Sequence, residues 1–114
     1  MTTISKNYQK KNIFGIVGIF DLIKRKRIVK KILSINPHFK FISIISKSSL
    51  ISKKTIIGKN VFIANGVIVN SNSIIKDHSV INTGSIIEHD CIIHNYVNIS
   101  PNCTILGNTI ISDE

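Results

Sequence analysis

Residues 45–114 read ISKSSL-ISKKTI-IGKNVF-IANGVI-VNSNSI-IKDHSV-INTGSI-IEHDCI-IHNYVN-ISPNCT-ILGNTI-ISDE when the chain is written in sixes. Every block opens with a β-branched aliphatic: Ile45, Ile51, Ile57, Ile63, Val69, Ile75, Ile81, Ile87, Ile93, Ile99, Ile105 and Ile111. The fifth place is always small or β-branched: Ser49, Thr55, Val61, Val67, Ser73, Ser79, Ser85, Cys91, Val97, Cys103 and Thr109. An ordinary strand alternates with period two and stops at a turn, whereas here short strands recur every six residues with polar or Gly-bearing turns between them.

Three such strands close one triangular coil of 18 residues, and successive coils stack about 4.8 Å apart along the hydrogen-bonding direction. Residues 18 apart then form columns. First-place aliphatics fill the interior of the prism, and fifth-place residues are small because larger ones would overpack it. The sixth place points outward yet stays apolar from Leu50 to Ile92, aliphatic but for Phe62, turning polar only at Asn98 and Thr104. An outer wall this apolar is a liability for a lone chain.

Composition agrees with this reading. The chain has 114 residues, no Trp, five Phe and two Tyr, so its 43% hydrophobic content is dominated by Ile and Val, which favour pleated strands. The formal charge of +9 is unevenly placed. Residues 1–54 hold thirteen Lys/Arg against Asp21 alone, about +12, while residues 55–114 hold Lys59 and Lys76 against five acids, about −3. Charge confined to one segment, without interleaved aromatics or a Gly-rich loop, is read as a solvated face and not as a nucleic-acid site. Cys91 and Cys103 are twelve apart and give no metal or redox spacing, so both read as reduced thiols in a cytoplasmic protein. The run from Asn12 to Ile23 is interrupted by Asp21, followed by Lys24-Arg25-Lys26-Arg27, and lacks a cleavage site, which argues against export. No apolar run approaches the roughly 18 residues of a membrane span, so no membrane insertion is expected.

Ahead of the repeats, Phe14-Gly-Ile-Val-Gly-Ile-Phe20 predicts a buried strand. Asp21 is placed to cap a helix running to about Leu33, with Lys24 to Arg27, Lys30 and Lys31 on its solvated face. Residues 39–44 predict a second short strand. The division is therefore a partial α/β segment over 1–44 and a repeat domain of about four coils over 45–114, stopping part-way through a coil at Glu114.

The blocks resemble the hexapeptide pattern of the left-handed β-helix acyltransferases, and the left hand comes from that resemblance, since the fold departs from the usual right-handed crossover rule. Within the group, the passage Asn82-Thr-Gly followed by Glu88-His89-Asp90-Cys91 is similar to the sugar O- and N-acyltransferases of the sialic acid O-acetyltransferase type. The likeness covers residues 14–114 and is most specific at 81–91. It implies an acetyl-CoA-dependent transfer, without a metal, to a hydroxyl or amine of a bacterial sugar or nucleotide sugar used in cell-surface polysaccharide, in a homotrimer with sites between neighbours. It also implies that residues 1–44 are a β-α-β remnant of a Rossmann-like N-terminal domain, and that the chain is part of a protein nearly twice as long. The alternative is a non-catalytic β-helical fragment or trimerisation module lacking the coils that bind CoA.

Acyl transfer from a thioester needs a base near neutral pH and donors aimed at the developing oxyanion. His89, at the turn place of its block, is the candidate base, and Asp90 beside it the group that orients the ring. Gly107 lies 18 residues on, one coil along the same column, and the resemblance assigns its N–H to the thioester oxygen. Asn82 corresponds to the family's asparagine near the acceptor sugar, although a turn Asn also has a purely structural use. Two places depart from the family pattern: Asn98 stands where a second His is thought to contact acetyl-CoA, and His94 stands where Gly is usual. A zinc site of the γ-carbonic anhydrase kind would pair His89 and His94 with a third ligand at position 53, which is Lys53.

Overall fold

The computed structural model describes residues 13–113. Its elements run β1 (Phe14–Gly15), α1 (Leu22–Ile35), β2 (Lys40–Phe41), then β3 (Ile44–Ile45), β4 (Leu50–Ile51), β5 (Ile56–Ile57), β6 (Phe62–Ile63), β7 (Ile68–Val69), β8 (Ile74–Ile75), β9 (Val80–Ile81), β10 (Ile86–Ile87), β11 (Ile92–Ile93), β12 (Asn98–Ile99), β13 (Thr104–Ile105) and β14 (Ile110–Ile111). The last twelve form three four-stranded parallel sheets, ordered β4-β7-β10-β13, β5-β8-β11-β14 and β3-β6-β9-β12. Each sheet pairs residues 18 apart, as in the column Leu50↔Ile68, Ile68↔Ile86 and Ile86↔Thr104. The result is a parallel β-solenoid of about four turns, the architecture of a left-handed β-helix of hexapeptide repeats.

First-place side chains fill the prism: Ile63, Ile75, Ile81, Ile87 and Ile93 are wholly buried. The fifth place does more than stay small. Ser73, Ser79 and Ser85 each donate to the carbonyl 15 residues on (Glu88, His94, Ser100; 2.7–2.8 Å). Each also accepts the N–H 18 residues on (Cys91, Val97, Cys103; 3.0–3.2 Å). Ser43 does the same with Gly58 and Val61. One hydroxyl thus satisfies two backbone groups that would be costly to bury unpaired.

Each corner turns through its fourth-place residue. From Asn60 to Asn108 every such residue has positive φ, between 55° and 72°. Asn and Gly tolerate this left-handed backbone, which explains most of the sequence there. His78 and Tyr96 do not favour it, and they form one column whose rings stack at 4.7 Å and 21°.

Ahead of the coils, β1 and β2 pair in parallel around α1, giving the expected β-α-β unit. Asp21 caps the helix by accepting the Lys24 N–H at 2.9 Å. The helix ends two residues later than predicted, at Ile35, because Pro37 pushes Asn36 into extended backbone (φ −136°, ψ 92°). The predicted strand 14–20 pairs only at its first two residues, since residues 16–20 leave β2 and run against the coils, Val17 N–H donating to Asn60 Oδ1 at 2.8 Å. The predicted strand 39–44 divides into β2 and the start of β3 for the same reason.

The basic face of α1 requires one correction. Lys24, Lys26, Arg27, Lys30 and Lys31 are exposed as expected, but Arg25 is only 1% exposed. Its guanidinium donates to the carbonyls of His78 (3.0 Å), Ile19 (2.9 Å) and Phe20 (3.2 Å) and to Asn98 Oδ1 (2.5 Å). It joins helix, linker and coils at one point, and burial lowers its pKa, opposed by Tyr96 and Asp21.

Candidate active site

His89 sits at the corner between β10 and β11, on the third place of its block, where the chain turns and the side chain projects outward. It is 56% exposed, and its Nδ1 lies 2.9 Å from Asp90 Oδ2. Two carboxylates flank the ring in sequence, and the structure distinguishes them. Glu88 Oε2 accepts from Asn70 Nδ2 at 3.0 Å, one coil away in its own column, leaving Asp90 as the partner of the imidazole. With Nδ1 so held, Nε2 is the free nitrogen of the ring; it has no hydrogen-bond partner among the described residues.

Gly107 lies beside that free edge. A Cβ built on Gly107 would stand 2.6 Å from His89 Nε2 and 2.8 Å from Cε1, so the ring occupies the space a side chain would need. The requirement is for room and not for unusual backbone, since Gly107 is absent from the residues with positive φ. Backbone holds the column together: Asp90 N–H donates to the Ser71 carbonyl and Asn108 N–H to the His89 carbonyl, both at 3.0 Å. A sulfhydryl under the corner, Cys91, donates to the Leu106 carbonyl at 3.1 Å and is buried.

The other candidates lie elsewhere. Asn82 stands at the opposite end of β10, at the corner shared with β9, so one coil carries Asn82 and His89 on two different corners. Its Oδ1 accepts the Thr83 N–H at 2.8 Å. It borders an open groove of about 450 Å³ whose floor is Phe20, Ile44, Phe62 and Ile63 and whose rim includes Ser46, Asn65 and Thr83. Asn98, expected at the cofactor, lies on the third sheet, away from the corner of His89. Both ends of its amide are engaged, Oδ1 by Arg25 and Nδ2 by the Phe20 carbonyl at 2.8 Å, so it fastens the N-terminal segment to the coils. His94 stands one corner beyond His89, and no group of three His, Cys, Asp or Glu side chains is gathered for a metal among the described residues.

Sequence reasoning missed a second cluster, around the column Asn60-His78-Tyr96. Asn60 Nδ2 lies 3.0 Å from His78 Nδ1, Phe41 meets the His78 ring edge-on at 5.2 Å, and Lys26 Nζ sits 5.3 Å above Tyr96. Burial lowers the pKa of His78, Asp77 opposing and Arg25 adding to the fall, and burial raises that of Tyr96. The signal in the sequence was a His and a Tyr at turn places otherwise held mostly by Asn, Asp and Gly.

Residues 72–107 match the family model described as bacterial transferase hexapeptide (six repeats). Among solved structures, the chain is similar to a variant of perosamine N-acetyltransferase from Caulobacter crescentus in complex with CoA and GDP-perosamine. That likeness has 26% identity over 86% of this chain and 46% of that one, with a TM-score of 0.80. PerB of the same organism, in complex with CoA and GDP-perosamine, gives 28% identity over 78% and 42%, TM-score 0.72. The acetyltransferase domain of PglB from Neisseria gonorrhoeae in complex with acetyl coenzyme A gives 28% identity over 84% and 46%, TM-score 0.76. The chain thus spans less than half the length of these structures. No curated protein matches it. No helix among the described residues is long and apolar enough to cross a membrane.

Proposed function

We propose that this chain carries the acyl-transfer corner of an acetyl-CoA-dependent sugar acetyltransferase, with His89 as the general base. The observation that carries the reading is the orientation of His89: Nδ1 engaged by Asp90 at 2.9 Å and Nε2 facing outward beside a glycine. Acetyl-CoA supplies an activated thioester. Nε2 of His89 accepts the proton of the acceptor hydroxyl or amine as that atom bonds to the thioester carbon, and the proton leaves with the thiol of CoA when the C–S bond breaks. Asp90 keeps the ring in one tautomer and stabilises the imidazolium that forms. The N–H of Gly107, one coil along the same column, donates to the thioester oxygen.

The similar structures hold CoA with GDP-perosamine, or acetyl coenzyme A, which supports a nucleotide-linked sugar as the acceptor. Asn82 and its groove, with an apolar floor and an amide-bearing rim, suit a sugar ring with one apolar face. Because Asn82 and His89 occupy different corners, a site that uses both is completed by another copy of the chain. The outer walls support the same assembly, since Leu50, Ile56 and Ile110 are 62–68% exposed in the single chain and a homotrimer would cover them.

The test is an acetyl-transfer assay on nucleotide-linked amino sugars, with calorimetric titration of acetyl-CoA alongside. His89→Ala is expected to lower kcat/KM by roughly 10²–10⁴ while acetyl-CoA still binds. Transfer at an undiminished rate would remove His89 from the chemistry.

A further inference from the structure

The outer face of α1 is not used by the proposed chemistry, and its composition is unusual. Arg25, Val29 and Ile32 point inward. Opposite them, at helical spacing, Ile23, Lys24, Arg27, Lys30 and Lys31 stand exposed, with Lys26 at the side above Tyr96. No acidic residue occurs anywhere in the helix. Among the described residues the only ion pair is His89–Asp90, so none of these cations is neutralised by a carboxylate. At the N-terminal end of the cationic face sits Ile23, 79% exposed, the most exposed large hydrophobic side chain described, with Leu33 at 38% on the flank. Four unpaired cations, Lys24, Arg27, Lys30 and Lys31, beside a bare aliphatic form a surface with two affinities at once, one for negative charge and one for hydrocarbon.

We propose that the outer face of α1 docks on an anionic phospholipid surface, lying along the headgroups with Ile23 dipping into the acyl boundary. Charge complementarity identifies the occupant. Clustered Lys and Arg gain from the negative surface potential of an anionic leaflet, and an exposed aliphatic on a cationic helix gains only where hydrocarbon is within reach. A nucleic acid would satisfy the cations but offers Ile23 no such partner. The distribution of charge sets the orientation: residues 1–44 are about +9 and the coils from residue 45 onward about neutral, so a negative surface draws α1 toward it and leaves the His89 corner turned to water.

Flotation of the purified chain with vesicles tests this. Vesicles of phosphatidylcholine with phosphatidylglycerol are expected to carry the protein, pure phosphatidylcholine vesicles are not, and raising salt should release it. Each basic residue at such a surface contributes roughly a fivefold factor, so Arg27→Glu/Lys30→Glu/Lys31→Glu should lower partition by about 100-fold or more. Ile23→Ser should lower it severalfold with the salt dependence unchanged. These side chains project into solvent, so circular dichroism and solution mass should match wild type. Equal binding to both vesicle types, or retained binding by the triple variant, overturns the proposal. So does binding to duplex DNA as tight as to the anionic vesicles at the same ionic strength with no effect of Ile23→Ser, which would assign the face to nucleic acid.

Discussion

Replacing Arg25 with alanine removes the one side chain that ties α1, the 16–20 linker and two columns of the β-helix together. Three acceptors lose their donor, the carbonyls of His78 and Ile19 and Oδ1 of Asn98, while the Phe20 carbonyl loses one of two and keeps Asn98 Nδ2. A hydrogen bond from a charged donor contributes about 1.5–3 kcal/mol, and an acceptor left dry costs about 1–3 kcal/mol. These terms do not add, because the space vacated by a residue this large admits water to the carbonyls nearest the surface. An overall loss of about 3–4 kcal/mol follows, within the range for removing one partner from a buried polar cluster. The loss falls on docking and not on the coils, whose ladders do not involve Arg25. Amide hydrogen exchange separates the two. Peptides covering Leu22–Ile35 should exchange roughly two to three orders of magnitude faster, up to the limit set by the total docking free energy, while peptides covering β8 to β11 keep their protection. Arg25→Lys should fall between, because an ammonium cannot reach all four acceptors with its three donors. Unchanged protection of α1 in the alanine variant would refute the hub, and a uniform loss across the coils would refute the separation.

Three further outcomes follow from the same geometry. His78 holds its proton less readily folded than unfolded, so its contribution is complete above the free-histidine value of about 6.5 and is lost as pH falls through the lower folded value; protection of α1 should drop on acidification below about pH 6.5, and His78→Asn, which suits the positive φ of 63°, should flatten that dependence. Gly107→Ala should displace the His89 ring and reduce acetyl transfer by roughly 10–100-fold with a thermal midpoint close to wild type, because both residues are at the surface; a fully active variant would show that the ring does not need that space. Ser79→Ala leaves the Val97 N–H and the His94 carbonyl unpaired in the core and should cost about 1–3 kcal/mol in urea denaturation, whereas Ser79→Cys should cost less, since Cys91 already fills the equivalent place and reaches the Leu106 carbonyl.

The sequence by itself determined the coils. A residue every six that must be Ile or Val, and a neighbour every six that must be small, can be satisfied together only by stacking turns of 18, and the observed pairing of Ile68 with Ile86 and Ile92 with Ile110 is that register. The pairing of His89 with Asp90 and its stacking over Gly107 were legible for the same reason, because in a solenoid the column partners are fixed by counting. What needed the tertiary structure was everything governed by contact between non-equivalent parts. Arg25 read as one more solvated cation in a basic helix, and only the docking of that helix against the coils turned it inward onto carbonyls as far as 53 residues away. Asn98 read as a cofactor position by its place in a motif, and only the docking of the N-terminal segment showed its amide engaged by Arg25 and the Phe20 carbonyl. Periodicity fixes neighbours along the repeat, but what the N-terminal segment does to a given column depends on packing between surfaces that share no period.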